Sequence, residues 1–304
     1  MSRLVTRDFL EASFTGFRAL FERSFQTAEP LYSKLATVVD SSTARESWNW
    51  LGSVPAMREW TDERVPGALR TNDYEIANRR FEASIEVDRE TFEDDRLGQL
   101  RPRIEELALR AASHPDELVV GLLGSGFTDL CYDGRPFFAS DHTQGESGPQ
   151  SNLMVEKLGA TSLKLAIEAL MSFRDDQGKP FGLLPDTLLV GPDNYFTARE
   201  LLNSAGIVLA GGTDLERPDG NALAGTLNLQ VSPWVAAEHW YVLATQYPVR
   251  PLLFQWRIRP EFSAVTRPDD EHVFSSDSYR FGVRSRCGAG YGLWQMAVGS
   301  DGSA

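Results

Sequence analysis

The chain has 304 residues, 42% hydrophobic and 11% aromatic, enough to fill a substantial core as one large domain or two modest ones. Its formal charge of −13 argues against tight, nonspecific DNA binding, because such binding needs a basic surface to displace condensed counterions. The same charge suits a soluble protein made at high concentration, since net charge opposes precipitation.

Met1 to Arg7 carries no apolar run behind its basic residues, so no signal peptide is read there. No stretch approaches the roughly 18 apolar residues of a membrane-spanning helix, and a cytoplasm-like compartment is expected. Leu10, Phe14, Phe17 and Phe21 fall at helical spacing, with Asp8, Glu11 and Glu22 on the polar side. This predicts an amphipathic arm or helix that packs on the body or on a neighbour. Asp40 to Arg45 is turn-like. From Trp48 to Asp95 the pattern changes: Trp48, Trp50 and Trp60 alternate with Gly52, Pro55, Pro66 and Gly67. Then Phe81, Ala83, Ile85 and Val87 alternate with Glu82, Ser84, Glu86 and Asp88. Period two with a charged outer face is a half-exposed strand, and Tyr74 and Ile76 extend it upstream. The segment reads as a long charged β-hairpin or loop, too polar for core and built to lie along something else.

A helix follows on Leu97, Leu100, Ile104, Leu107, Ala108 and Ala111, beginning or kinking at Pro102. Ser113-His114-Pro115-Asp116-Glu117 reads as a helix restart, with Pro115 in the first turn and two acids complementing the dipole; Gly124 or Gly126 ends it. Ser140 to Ser151 is a polar linker. Beyond it helix and strand alternate. Leu163, Ala166, Ile167, Leu170 and Met171 form a helix face, Thr187 to Val190 a strand, and Pro192 to Ser204 a second helix. Gly206 to Gly225 is loop-rich. Strands are expected at Leu227 to Val231, Trp240 to Thr245, Leu252 to Ile258, Tyr279 to Arg284 and Tyr291 to Ala297. The class is α+β.

Few residues suggest chemistry. Cys131 and Cys287 lack paired spacing and read as reduced core thiols. Asp269-Asp270-Glu271-His272 offers four ligands in a row, but adjacent side chains diverge, so it reads as a solvated turn. Asp141, His142 and Glu146 read as another polar loop. Gly145-Glu146-Ser147-Gly148-Pro149 superficially resembles a serine nucleophile loop, with His142 as a base, yet no strand-to-helix elbow frames it. Gly288-Ala289-Gly290-Tyr291-Gly292 has the wrong spacing for a dinucleotide fingerprint. The four histidines form no helix-spaced pair. No catalytic, cofactor-binding or metal-binding residue is assigned.

Several ordered stretches carry a resemblance: Tyr74-Glu75-Ile76-Ala77-Asn78-Arg79-Arg80-Phe81-Glu82 with Phe92-Glu93-Asp94-Asp95, Ala111-Ala112-Ser113-His114-Pro115-Asp116-Glu117-Leu118-Val119, and Leu130-Cys131-Tyr132-Asp133-Gly134 with Phe137-Phe138 and Asp141-His142. Arg250-Pro251-Leu252-Leu253-Phe254-Gln255, Pro268-Asp269-Asp270-Glu271-His272-Val273-Phe274 and Gly290-Tyr291-Gly292-Leu293-Trp294-Gln295 complete it. Together, over about 45 to 298, they resemble the Mu-like phage major head subunit family; about 200 to 235 adds little.

That resemblance implies a Hong Kong 97-type capsid fold with an N-terminal arm (1–45), an extended β-hairpin loop (46–92), a peripheral domain with a spine helix (93–150 and 250–298), an axial domain (151–249) and a tail (299–304). It implies a major capsid protein of a tailed phage or prophage, assembling into pentamers and hexamers of an icosahedral shell that encloses double-stranded DNA without sequence-specific binding. The expected partners are further copies of the chain, a scaffolding protein, a portal and a decoration protein. Arg79, Arg80, Glu82, Glu86 and Arg89 are the expected intersubunit ion-pairing residues, against the alternative of a solvated strand face. Residues 46–92 contain no lysine, so no lysine–asparagine isopeptide bond is expected from this loop. An encapsulin-like compartment shares the fold, and a hydrolase using Ser147 and His142 is the rival from another class.

Overall fold

The computed structural model of the chain describes residues 7–48, 74–93, 98, 100–203, 221–267 and 269–304, with backbone only for 7–11 and 93. Trp50, Trp60, Leu97 and most of the Gly206 to Gly225 loop lie outside them.

The amphipathic start forms α1 (Arg7–Thr27), followed by a one-turn α2 (Tyr32–Leu35) that runs directly into strand β1 (Ala36–Asp40). Short strands β2 (Arg45–Ser47) and β3 (Glu75–Ala77) pair antiparallel and are succeeded by β4 (Arg79–Asp88) and α3 (Arg89–Glu93). The long helix α4 (Leu100–Ser125) comes next, then a β5 (His142–Thr143) and β6 (Pro149–Gln150) hairpin and β7 (Leu153–Met154). The second half holds α5 (Ala160–Ser172), β8 (Thr187–Val190), α6 (Tyr195–Asn203), β9 (Asn228–Val231) and β10 (Trp240–Leu243). Two 14-residue strands, β11 (Leu252–Val265) and β12 (Ser278–Tyr291), flank α7 (Glu271–Ser276), and β13 (Ala297–Ser300) closes the chain.

Two sheets organise these elements. The first has the order β1-β11-β12-β4, with β1 parallel to β11 and the other pairs antiparallel. The second has the order β7-β13-β10-β8-β9. The alternating apolar residues of β4 are half-buried toward a cluster that includes Phe21 of α1, Ile104 and Leu107 of α4, and Phe281 and Val283 of β12. Phe14 and Phe21 stack on Phe262 at 5.9 and 5.2 Å, and Phe17 meets Phe281 edge-on at 5.5 Å. The aromatic stripe of α1 therefore packs on the body of its own chain. So does β4: it pairs with β12 from Ser278↔Asp88 to Cys287↔Arg79 and does not fold back on the strand before it.

Four expectations need correction. Helix α4 does not restart at Pro115 but runs through it. Pro115 lacks an N–H, so the Ala111 carbonyl loses its usual helical donor, at a cost of roughly 3 kcal/mol. The buried positions Ile104, Leu107, Ala108, Ala112, Val119, Val120 and Leu123 nevertheless stay in helical phase across it, and that burial holds the helix. Asp116 complements no dipole of its own helix. It is 8% exposed, and its Oδ1 accepts the Tyr32 N–H at 2.6 Å, capping α2 from across the core. Tyr291 to Ala297 is not a strand: β12 ends at Tyr291, and a 3-10 turn at Trp294–Met296 precedes β13. Finally, Gly299 and Ser300 of the expected tail lie inside the second sheet, where β13 pairs with both β10 and β7 and Ser300 is fully buried.

Candidate functional site

Residues 49–73 depart from Trp48 and return at Tyr74, whose carbonyl accepts the Trp48 N–H at 2.7 Å. This root is locked to the first sheet by small residues and amides. Gly288 and Gly290 of β12 leave room for the stem: a Cβ at Gly288 would sit 2.7 Å from the Ala77 carbonyl oxygen, and one at Gly290 2.5 Å from Ile76 Cδ1. Buried Gln255 donates from Nε2 to Ile76 O at 2.9 Å and Asn78 Oδ1 at 3.0 Å, while its Oε1 accepts from Trp48 Nε1 at 3.3 Å. The turn between β1 and β2 is tied by Glu46, whose Oε1 accepts from Ser41 Oγ, Ser42 N and Thr43 N at 2.7, 2.8 and 3.0 Å. The Ser41 hydroxyl, followed by these backbone donors, brings the Glu46 carboxyl down to about 2.

Of the five expected ion-pairing residues, Arg80, Glu82 and Glu86 share the outer face of the same sheet, Arg79 is the first residue of β4 and Arg89 opens α3. Glu86 accepts from Ser278 Oγ and pairs with Arg280 at 3.0 Å and His272 at 3.3 Å, and the Ser278 and Arg280 hydrogen bonds lower its pKa. Arg89 pairs with Asp277 at 3.5 Å. Glu82 accepts from Ser84 Oγ at 2.7 Å. Arg79 and Arg80 have no carboxylate within 4.0 Å among the described residues. His272 thus turns away from its acidic neighbours in sequence, toward β4 and Ser278.

The polar linker is less solvated than expected. His142 is fully buried, with Nδ1 2.6 Å from Asp133 Oδ2, Nε2 3.2 Å from Asn152 Oδ1, and its ring stacked on Trp294 at 4.1 Å. Beside it Tyr132, Gln144 and Gln295 hydrogen-bond in a closed ring. This buried knot ties the segment after α4 to the turn before β13. Its signal was in the sequence as Cys131-Tyr132-Asp133, Asp141-His142 and Trp294-Gln295, but nothing local distinguishes a buried histidine from a loop histidine.

Two chemical readings of the knot can be weighed by geometry. Ser147 Oγ donates to Gly148 O at 2.9 Å and accepts from Gln144 N, while both His142 nitrogens are engaged elsewhere; a nucleophile–base pair needs those atoms joined. Cys131, Asp133 and His142 place ligand atoms within 4.8 Å of one another. However, Asp133 already accepts from the Cys131 thiol at 3.1 Å and from His142 at 2.6 Å. Ligands sharing one tetrahedral ion stay about 3.3 Å apart. Burial above all, and then the neighbouring Asp133 charge, push the Cys131 thiol up, away from the thiolate a metal or nucleophile needs. Burial alone would raise Asp133, but the His142 and Cys131 hydrogen bonds outweigh it and its pKa is lowered.

The family described as Mu-like prophage major head subunit gpT matches residues 10–160, 154–235 and 236–303. The chain belongs to this family. It is 30% identical over 299 residues to the major capsid protein of Escherichia phage Mu, covering 98% of this chain and 75% of that protein. The Mu-like prophage FluMu major head subunit of Haemophilus influenzae is also 30% identical, over 293 residues, 96% of this chain and 73% of that one. The procapsid of bacteriophage JBD30 superposes with a TM-score of 0.62 at 31% identity, covering 97% of this chain and 76% of that chain. A virus-like particle from Pyrococcus furiosus, at TM-score 0.55 and 11% identity over 95% of this chain and 99% of that one, shares the fold alone. This Mu-like head subunit is a major capsid protein of a phage or prophage, and its α+β fold is of the Hong Kong 97 type. The family match includes about 200 to 235, where the sequence itself offered little to compare.

Proposed function

We propose that this head subunit assembles in the host cytoplasm into pentamers and hexamers of an icosahedral shell around double-stranded DNA, guided by a scaffolding protein and joined to a portal, with no catalytic role. The observation that carries this reading is the two-stranded stem at Trp48 and Tyr74, rigidly seated on β12 by Gly288 and Gly290. A root so firmly held suits a segment that bears load against a neighbouring subunit. Many weak contacts of that kind sum, through symmetry, to a stable closed shell. On this reading 1–45 is the arm, 46–92 the extended loop, 93–150 with 250–298 the peripheral domain and 151–249 the axial domain, with β13 added to the axial sheet. Arg79, Arg80, Glu82, Glu86 and Arg89 face the neighbouring subunits. A decoration protein is a further partner, in keeping with a JBD30 capsid known in a form decorated with minor capsid protein trimers.

The test is expression of the chain alone and with a scaffolding protein, followed by negative-stain microscopy and light scattering. Closed shells, tubes or five- and six-membered rings are expected; a monodisperse monomer under both conditions would sink the reading. Because residues 46–92 hold no lysine, assembled shells are expected to dissolve to a single band on a denaturing gel, and a covalent ladder would contradict this.

A further inference from the structure

Across β4 and β12 the register places side chains of the outer face directly opposite one another. Glu86 faces Arg280 and Glu82 faces Arg284, so each pair joins opposite charges. One step further the rule breaks: Arg80 faces Arg286. Like charges directly opposite on neighbouring strands destabilise a sheet. Neither guanidinium has a carboxylate within 4.0 Å among the described residues, and Arg286 Nε is buried without any hydrogen-bond partner. Arg284 next to them is already held by Glu261 at 2.8 Å. The two arginines border a cavity of about 440 Å³ at the irregular register of β11, lined also by Glu82 and Ile258. Glu82 is turned to Ser84 Oγ.

We propose that this Arg80–Arg286 cavity is a socket for a carboxylate side chain from a second copy of the chain in the shell. The proposal rests on the capsid reading, which supplies the neighbouring copies. Charge complementarity selects the occupant: each copy carries 43 acidic against 30 basic residues, and both other arginines of β12 on this stripe, Arg280 and Arg284, already stand opposite a carboxylate. A guanidinium–carboxylate contact would relieve the repulsion only after assembly. The socket is therefore unfavourable in the free subunit and favourable between subunits.

That asymmetry gives a test. In Arg80→Glu, a carboxylate of the same chain stands opposite Arg286, so the free subunit is expected to melt at a higher temperature than wild type. The same change fills the socket from within, and the threshold concentration for assembly is expected to rise about tenfold or more. Arg80→Ala is expected to weaken assembly with at most a small gain in melting temperature. Wild-type assembly with undiminished assembly of both variants would overturn the socket while leaving the capsid reading intact; failure of the wild type to assemble would strike the capsid reading itself. Unchanged shells that retain less DNA would identify the anion as phosphate and also overturn the proposal. A melting temperature that falls in Arg80→Glu together with assembly would reduce Arg80 to a structural residue and overturn it as well.

Discussion

Glu46 concentrates three hydrogen bonds on one carboxylate oxygen at the turn that precedes the stem. Its folded pKa of about 2 lies below the ordinary 4.5, so its contribution is complete above about 4.5 and is lost as pH falls toward 2. Amide exchange of residues 41–47 is expected to quicken on acidification in the wild type, and to be already fast at neutral pH in Glu46→Gln. In the buried knot, Asp133→Asn replaces the charge that receives both the Cys131 thiol and His142, and is expected to cost about 1–3 kcal/mol in urea unfolding. Phe21, 2% exposed against Phe262, is expected to cost about 3–5 kcal/mol on replacement by alanine. At this scale sequence reading succeeded where periodicity speaks, as for the stripe Phe14, Phe17, Phe21. It failed where partners are remote: His142 meets Trp294 and Asp116 meets Tyr32 across gaps no local pattern spans.

Strand β12 has two outward characters along its 14 residues. One end packs glycines under the stem, and the other presents arginines to the charged face. The spacing of Gly288, Gly290 and Gly292 does not fit a dinucleotide fingerprint, and its cause is close packing: β3 approaches Gly288 and Gly290, and the Arg250 and Pro251 carbonyls approach Gly292. Gly288→Ala must displace the Ala77 backbone, so a loss of about 1–3 kcal/mol is expected, with faster proteolysis between residues 48 and 74 as its specific readout. Helix α4 shows the opposite lesson. Pro115 signals a break by every local rule, yet the apolar stripe stays in register across it, and long-range burial prevails over one missing hydrogen bond. Strands β11 and β12 extend past Ile258 and Arg284 for different reasons: the far end of β11 alternates half-buried residues such as Phe262 against α1 with exposed ones, while the far end of β12 is small residues buried under the stem, so neither shows the apolar run that marks a buried strand.

Among the described residues no helix is long and apolar enough to cross a membrane. The two sheets divide the molecule, and their connections run far from local. The second sheet is assembled from β7, β8, β9 and β10 in the middle of the sequence, and yet β13, the last of its strands to be reached along the chain, lies between β7 and β10. Its residues Ala297 to Ser300 are all buried. Truncation before Ala297 would leave two unpaired strand edges facing each other, and such edges recruit other chains; an insoluble product is expected, measured by the soluble fraction on expression. The same placement has a temporal meaning. During synthesis the sheet cannot be completed until β13 has left the ribosome, after every other strand of that sheet. A subunit interrupted in translation would lack its keystone, and would be barred from a shell in which one defective copy could spoil every ring it joined.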